Sequence, residues 1–121
     1  NKNKVSGVID FYFSCTDIIV YELAIAINAW CFDKNDIFYP KKASNLISGY
    51  NSKRTLSNAE FDNLSILSQG AALRFLLTRL YDWFNTPKEI LITKKNPNEY
   101  LNKLRFFKNN MLLNEINLKN I

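Results

Sequence analysis

The chain has 121 residues, of which 47% are hydrophobic, 14% aromatic and 22% charged. That is apolar material for one folded domain, and it excludes a disordered tail, a collagen-like chain and a low-complexity segment. Sixteen Lys and Arg against 11 Asp and Glu leave a net charge of +5, but lysines such as Lys41, Lys53, Lys94 and Lys103 are scattered, which reads as a solvated surface and not as a nucleic-acid stripe.

Val5 to Phe13 opens the chain as an extended run, VSGVIDFYF, rich in β-branched and aromatic residues. It predicts a strand with Val8, Asp10 and Tyr12 on one face and Ile9, Phe11 and Phe13 on the other. Such a strand is buried on both faces, and nothing in this sequence offers it a partner. Thr16 or Asp17 is placed to cap a helix running to about Phe32, apolar almost all round and therefore expected at the centre of a helical domain. Asp33 to Tyr39 reads as a loop. Pro40 then starts a short helix bearing Ala43, Leu46, Ile47 and Tyr50.

Ser57-Asn58-Ala59-Glu60 is a capping box. It opens a helical region through Asn85, with a break expected near Ser65 or Gly70 and an inner face of Leu73, Leu76, Leu77, Leu80 and Phe84. Gly70 beside Ala71 and Ala72 reads as a close helix contact. Thr86-Pro87 ends the region, and Ile90-Leu91-Ile92 follows as a brief extended segment. Asn96-Pro97-Asn98-Glu99 starts a last helix, with Asn96 as cap, Glu99 reaching back and Leu101 and Leu104 turned inward.

The chemistry open to this composition is narrow. Without histidine there is neither a Ser-His-Asp nor a Cys-His relay, and no imidazole metal site. Cys15 and Cys31 sit in apolar context without a CxxC spacing, and read as reduced, buried thiols of a cytoplasmic protein. The longest apolar stretch, Ile18 to Ala29, is interrupted by Glu22, so no membrane span is expected. A first residue Asn1 directly before an apolar strand reads as a truncated piece.

Asp10 stands out as a carboxylate within an apolar strand. It is either a ligand for a hard divalent cation such as magnesium or a residue that ends the strand and caps the next turn. Asp17 and Glu22 read as a helix cap and a first-turn acid. Arg79 is spaced to pair with Asp82 at i,i+3; the alternative is that Arg74 or Arg79 projects into a cleft and forks a carboxylate. Trp30 and Trp83 read as core or cleft wall.

Val5 to Phe13, followed by Tyr21-Glu22-Leu23-Ala24 and Asn28-Ala29-Trp30-Cys31-Phe32, closely resembles the bacterial homoserine kinases of the choline-kinase and aminoglycoside-phosphotransferase type. So does Gly70 to Trp83, GAALRFLLTRLYDW, while Pro97 to Leu101 and Leu104-Arg105-Phe106 fit that family's closing helix. The resemblance spans nearly the whole chain up to about Lys108. It implies a mainly α fold: residues 1–108 as the helical C-terminal lobe of a protein-kinase-like phosphotransferase, with a short N-terminal β-strand, and 109–121 as a tail. Asp10 falls on the metal-binding aspartate of the family's IDF motif, which implies Mg2+ with ATP as co-substrate.

The family's catalytic loop and nucleotide lobe have no counterpart here. The chain therefore resembles the last third of an enzyme that transfers the ATP γ-phosphoryl to the L-homoserine hydroxyl in threonine biosynthesis. It is expected to be inactive alone and to need the N-terminal part. Arg74 or Arg79 would take the substrate carboxylate and Trp30 would wall the cleft. Glu22 departs from the family, which usually has aspartate there. Two other readings are a non-catalytic helical remnant or interaction domain, and a kinase for another small alcohol such as choline.

Overall fold

A computed structural model describes residues 4–12, 14–87, 93–109, 112 and 116. Its regular structure is helical: α1 (Tyr21–Trp30), α2 (Pro40–Asn51), α3 (Asn58–Asp62), α4 (Leu64–Asn85) and α5 (Asn98–Asn109). The long α4 is the spine, with α1 and α5 both packed along it, α2 against α1, and α3 leading into its first turn.

The N-terminal strand does not form. Residues 4–12 are exposed and unpaired, and the β pairing among the described residues is an isolated antiparallel bridge between Phe32 and Phe38. An extended run needs a neighbouring strand to satisfy its backbone. Here the run is also interrupted by Asp10, whose φ of 69° lies in the left-handed region. Phe13 and the Ile90-Leu91-Ile92 segment fall outside the described residues.

The first helix starts later than its polar residues predict. Ile18, Ile19 and Val20 are β-branched and stiff at χ1, which disfavours a helical first turn. The chain turns there instead, with Tyr21 N–H donating to the Ile18 carbonyl at 2.9 Å. Val20 occupies the N-cap position without a side-chain cap. Asp17 caps nothing in α1; its Oδ1 accepts from the Ile18 N–H at 2.7 Å. The capping box at Ser57 forms as expected, Ser57 Oγ accepting from Glu60 N–H while the Glu60 carboxylate accepts from Ser57 N–H. The break after it falls at Asn63, near Ser65 as one of the two expected places, and the helix runs unbroken through Gly70.

The core gathers Leu23, Ala24 and Ile27 of α1, Ala43 and Ile47 of α2, Leu64, Ala72 and Leu76 of α4, and Tyr100 and Phe107 of α5. Burying each of the large aliphatic members contributes about 1.5–3 kcal/mol. Leu112 and Ile116, beyond α5, are buried in the same cluster.

On α4 size, more than polarity, separates the two faces. Leu64, Ser68, Ala71, Ala72 and Leu76 point inward, while Ile66, Leu73, Leu77, Tyr81 and Phe84 are 44–78% exposed. Of the expected inner face, Leu76 is buried and Leu80 packs against the core, whereas Leu73, Leu77 and Phe84 lie outward; beside α1 the inner face is made of the small Ser68, Ala71 and Ala72. Gly70 is not one of them: a Cβ there would meet nothing within 4 Å.

In α5, Asn96 caps as expected, its Oδ1 accepting from Asn98 N–H at 2.9 Å. Glu99 turns away from the helix start to Arg79 and Lys103. The fully turned-in residues are Tyr100, Lys103 and Phe107, with Leu101 and Leu104 half-buried at the margin.

Two outcomes follow for the α4 faces. Gly70→Ala raises stability in urea by about 0.5–1 kcal/mol, because it removes backbone entropy without a clash. Ala72→Leu lowers it by about 1–3 kcal/mol through overpacking. Equal effects of the two substitutions would reverse this assignment of faces.

Acid unfolding reports the two carboxylate clusters. Hydrogen bonds from Arg54 and then Ser57 bring Glu60 from its ordinary 4.5 down to about 2. Burial pushes Glu99 up, but bonds from Lys103 and Arg79 outweigh it and hold its carboxyl below the usual value. Both groups therefore stabilise the fold above their unfolded pKa, and that contribution fades as pH falls from about 4.5 toward 2. The urea midpoint should drop across that window, and less so in Glu60→Gln; an unchanged midpoint would mean that these pairs do not form.

Candidate functional site

A candidate cleft lies between the 14–20 turn, the start of α1 and the middle of α4. It encloses about 350 Å³ and is walled by Cys15, Thr16, Asp17, Tyr21, Glu22 and Arg74, with Ile18, Ile19 and Ile25 adding apolar surface. Its volume falls at the small end of ligand pockets, which span about 300–1,000 Å³. Asp17 reaches this wall because the helix start is displaced to Tyr21, and Arg74 because it lies just beyond the buried Ala71-Ala72 pair of α4.

The two arginines of α4 have separate surroundings. Arg79 Nη1 pairs with Glu99 Oε2 and donates to the Asn96 carbonyl at 3.0 Å, with its guanidinium 4.4 Å from the centre of the Tyr100 ring. The expected i,i+3 pair with Asp82 is replaced by this contact to α5. Lys103, 3% exposed, completes the cluster with its Nζ 2.6 Å from Glu99 Oε1 and 4.6 Å from the Tyr100 ring centre. Arg74 is exposed, and among the described residues it has no carboxylate within ion-pair distance.

The remaining site candidates lie elsewhere. Trp30, at the C-terminal end of α1, is 66% exposed and is not part of this cleft. Trp83 lines a second cleft together with Arg79, Asp82 and Lys94. Asp10 is exposed on the N-terminal segment, in a left-handed conformation that costs a non-glycine residue about 1–2 kcal/mol but that aspartate tolerates better than most. No group of three or more Cys, Asp and Glu side chains suited to a metal occurs among the described residues. A single open carboxylate fits a divalent cation as one oxygen donor, the others coming from other groups.

The cysteines differ from their sequence reading in one respect. Cys31 is buried, and burial pushes its thiol up to about 11. Cys15 is exposed on the cleft wall. Asp17, Glu22 and the buried Lys103 were the residues that pattern reading missed as site or core members. The run Ile18-Ile19-Val20 was the available signal for Asp17, and the Glu99–Lys103 spacing for Lys103.

No helix of the described residues is long and apolar enough to cross a membrane. Residues 1–54 match the phosphotransferase enzyme family, which sets the class of protein to which this chain is similar. Its relatives narrow that class. The chain is 57% identical over 104 residues to the homoserine kinase of Gluconobacter oxydans, covering 86% of this chain and 33% of the relative. It is 52% identical to that of Rhizobium johnstonii and 53% to that of Agrobacterium fabrum, each over 86% of this chain and 32% of the relative. The chain is thus a homologue of part of the homoserine kinases, and it spans about a third of the length of the curated relatives it matches.

Thiol chemistry checks the cleft wall. A thiol reagent such as Ellman's should titrate one group, Cys15, in the folded chain and two after unfolding in urea. Rapid modification of both in the folded state would show that the α1–α2 contact over Cys31 is open.

Proposed function

We propose that this chain is the helical, substrate-facing part of an ATP-dependent homoserine kinase of the cytoplasm. The reading rests on one observation above all: 57% identity to a homoserine kinase over 86% of the chain. Two features of the molecule agree with it. It presents a small cleft with charges of both signs, and it holds an aspartate in a strained, exposed conformation on the segment that resembles the family's metal-binding motif.

In this proposal Asp10 is an oxygen ligand for magnesium, which when bound neutralises charge on the ATP phosphates. The Asp10 carboxylate is exposed on a segment with a left-handed backbone at that residue, so it is open to a cation that docks beside it. The chain's own contribution to catalysis is then positioning. A hydroxyl-bearing substrate must be held so that its oxygen lies in line with the γ-phosphoryl, and such fixation is a large part of phosphoryl-transfer catalysis. Arg74, Arg79 and Trp30 are the proposed substrate-side residues. Of the three, Arg74 is favoured for an anionic group, since the Arg79 guanidinium is engaged by Glu99 and Asn96.

The chain accounts for about a third of the length of its relatives, so the proposal assigns nucleotide gripping and the hydroxyl-orienting base to the other two thirds of such an enzyme. The isolated 121 residues should show no turnover.

The test is a chimera in which this chain replaces the matching 104 residues of the Gluconobacter oxydans enzyme. It should phosphorylate L-homoserine from ATP, and Asp10→Asn should lower kcat by about 10²–10³-fold, since asparagine tolerates the same backbone but loses the charge. Phosphorylation of choline in preference to homoserine would overturn the substrate. Full activity in the Asp10→Asn chimera would remove Asp10 from the metal.

A further inference from the structure

We infer that the outward face of α4 is a self-complementary interface on which a second copy of this chain docks antiparallel. The inference does not depend on the homoserine-kinase reading, and three observations carry it.

The first is the extent of the face. Ile66, Gly70, Leu73, Leu77, Tyr81 and Phe84 fall within an arc of about 80° along about 27 Å of helix. The five side chains among them are 44–78% exposed. With aromatic residues at about 150–250 Å² each, they present on the order of 700 Å² per copy, more than the roughly 300–600 Å² of the largest apolar patch on a typical monomer. Two such faces brought together bury up to about 1,400 Å², within the range of about 1,200–2,000 Å² for stable specific interfaces.

The second is symmetry. A two-fold axis passing beside position 75 sets Ile66 opposite Phe84, Gly70 opposite Tyr81 and Leu73 opposite Leu77. One register therefore occupies all six positions, as an isologous contact requires. Sizes match at each level: the two rings meet a branched chain and an empty position, and leucine meets leucine.

The third is Gly70. Glycine weakens a helix interior, and no packing within this chain requires one here, since a Cβ at 70 would meet nothing within 4 Å. In the antiparallel pair it is the notch that receives the ring of the partner's Tyr81.

Salt acts in one direction on this contact. Arg74, exposed at the margin of the face, comes near its own copy beside the axis, and each chain carries a net charge of +5. Salt screens both repulsions, so it strengthens the association.

Sedimentation equilibrium of the whole chain between about 1 and 200 µM should show monomer and dimer with Kd on the order of 10 µM. The dimer should tighten between about 50 and 500 mM NaCl. Leu77→Glu, which enters the interface twice, should weaken it at least about 100-fold. Gly70→Leu should weaken it at least about tenfold by filling the notch, without lowering the urea midpoint of the dilute monomer. Phe11→Asp, on the exposed N-terminal segment, should leave Kd unchanged. Orientation is read by oxidation in a Cys15→Ser background, which removes the exposed native thiol. There Leu73→Cys and Leu77→Cys chains should cross-link to each other faster than either does to itself.

A chain that stays monomeric at the highest of these concentrations, open-ended aggregation, or a dimer that salt weakens overturns the inference. So does a dimer that Phe11→Asp abolishes, one indifferent to Gly70→Leu, or preferred cross-linking of Leu73→Cys to itself. A monomeric full-length chimera overturns it as well, since the face would then belong to the other two thirds of the enzyme.

Discussion

The joint between α1 and α4 is built from small, fully buried groups: Ala24 and Asn28 on one helix, Ser68, Ala71 and Ala72 on the other. Asn28 stitches it together, its Nδ2 donating to the Ala24 carbonyl at 3.0 Å and across the joint to the Ser68 carbonyl at 2.9 Å. The bond across the joint favours one register, because sliding either helix would break it inside the core at a cost of about 1–3 kcal/mol. Glu22 lies six residues before Asn28 and Arg74 six after Ser68, and both reach one cleft, so the helices run antiparallel here. The position of every charge in the candidate site is therefore set by residues that carry no charge.

The opposite joint, between α4 and α5, uses charge where the first uses size. Glu99 accepts from both Arg79 and Lys103, and the lysine is enclosed by the rings of Tyr100 and Phe32 at 4.6 and 5.3 Å. A lysine this buried keeps its charge only beside a carboxylate and polarisable rings. Arg79 is thereby engaged in holding α5. Arg74, five residues earlier, points about 140° away around the helix and stays open to a ligand. The two arginines look interchangeable in sequence and are opposites in the fold.

What was legible in the sequence was local. The capping box at Ser57, Pro40 at a helix start, Asn96 as a cap and the stop at Thr86-Pro87 all appear as read, because each is decided by a few neighbouring residues. The family was legible too, from Gly70 to Trp83 above all, and with it the mainly helical fold. What failed needed knowledge of neighbours. Val5 to Tyr12 has strand composition, but composition cannot supply a second strand. Leu73 and Leu77 have core composition, but they lie on the exposed face of α4. Asp17 was read as a cap because polarity marks helix starts, whereas the stiffness of Ile18, Ile19 and Val20 moved the start and left Asp17 on the cleft. Glu22 was likewise explained by the helix dipole, and Arg74, which lines the same cleft, lies 52 residues away in sequence.

The outward row of α4, from Ile66 through Leu73, Leu77 and Tyr81 to Phe84, keeps nearly the whole length of the longest helix in contact with water. Structured water along such a row is released when the row is covered, so any association through it is driven by solvent entropy near room temperature and carries a negative heat-capacity change. Contact along this face will therefore loosen on cooling and tighten in sulfate or sucrose, the reverse of the behaviour of the salt-sensitive charges around Arg74 on the same helix.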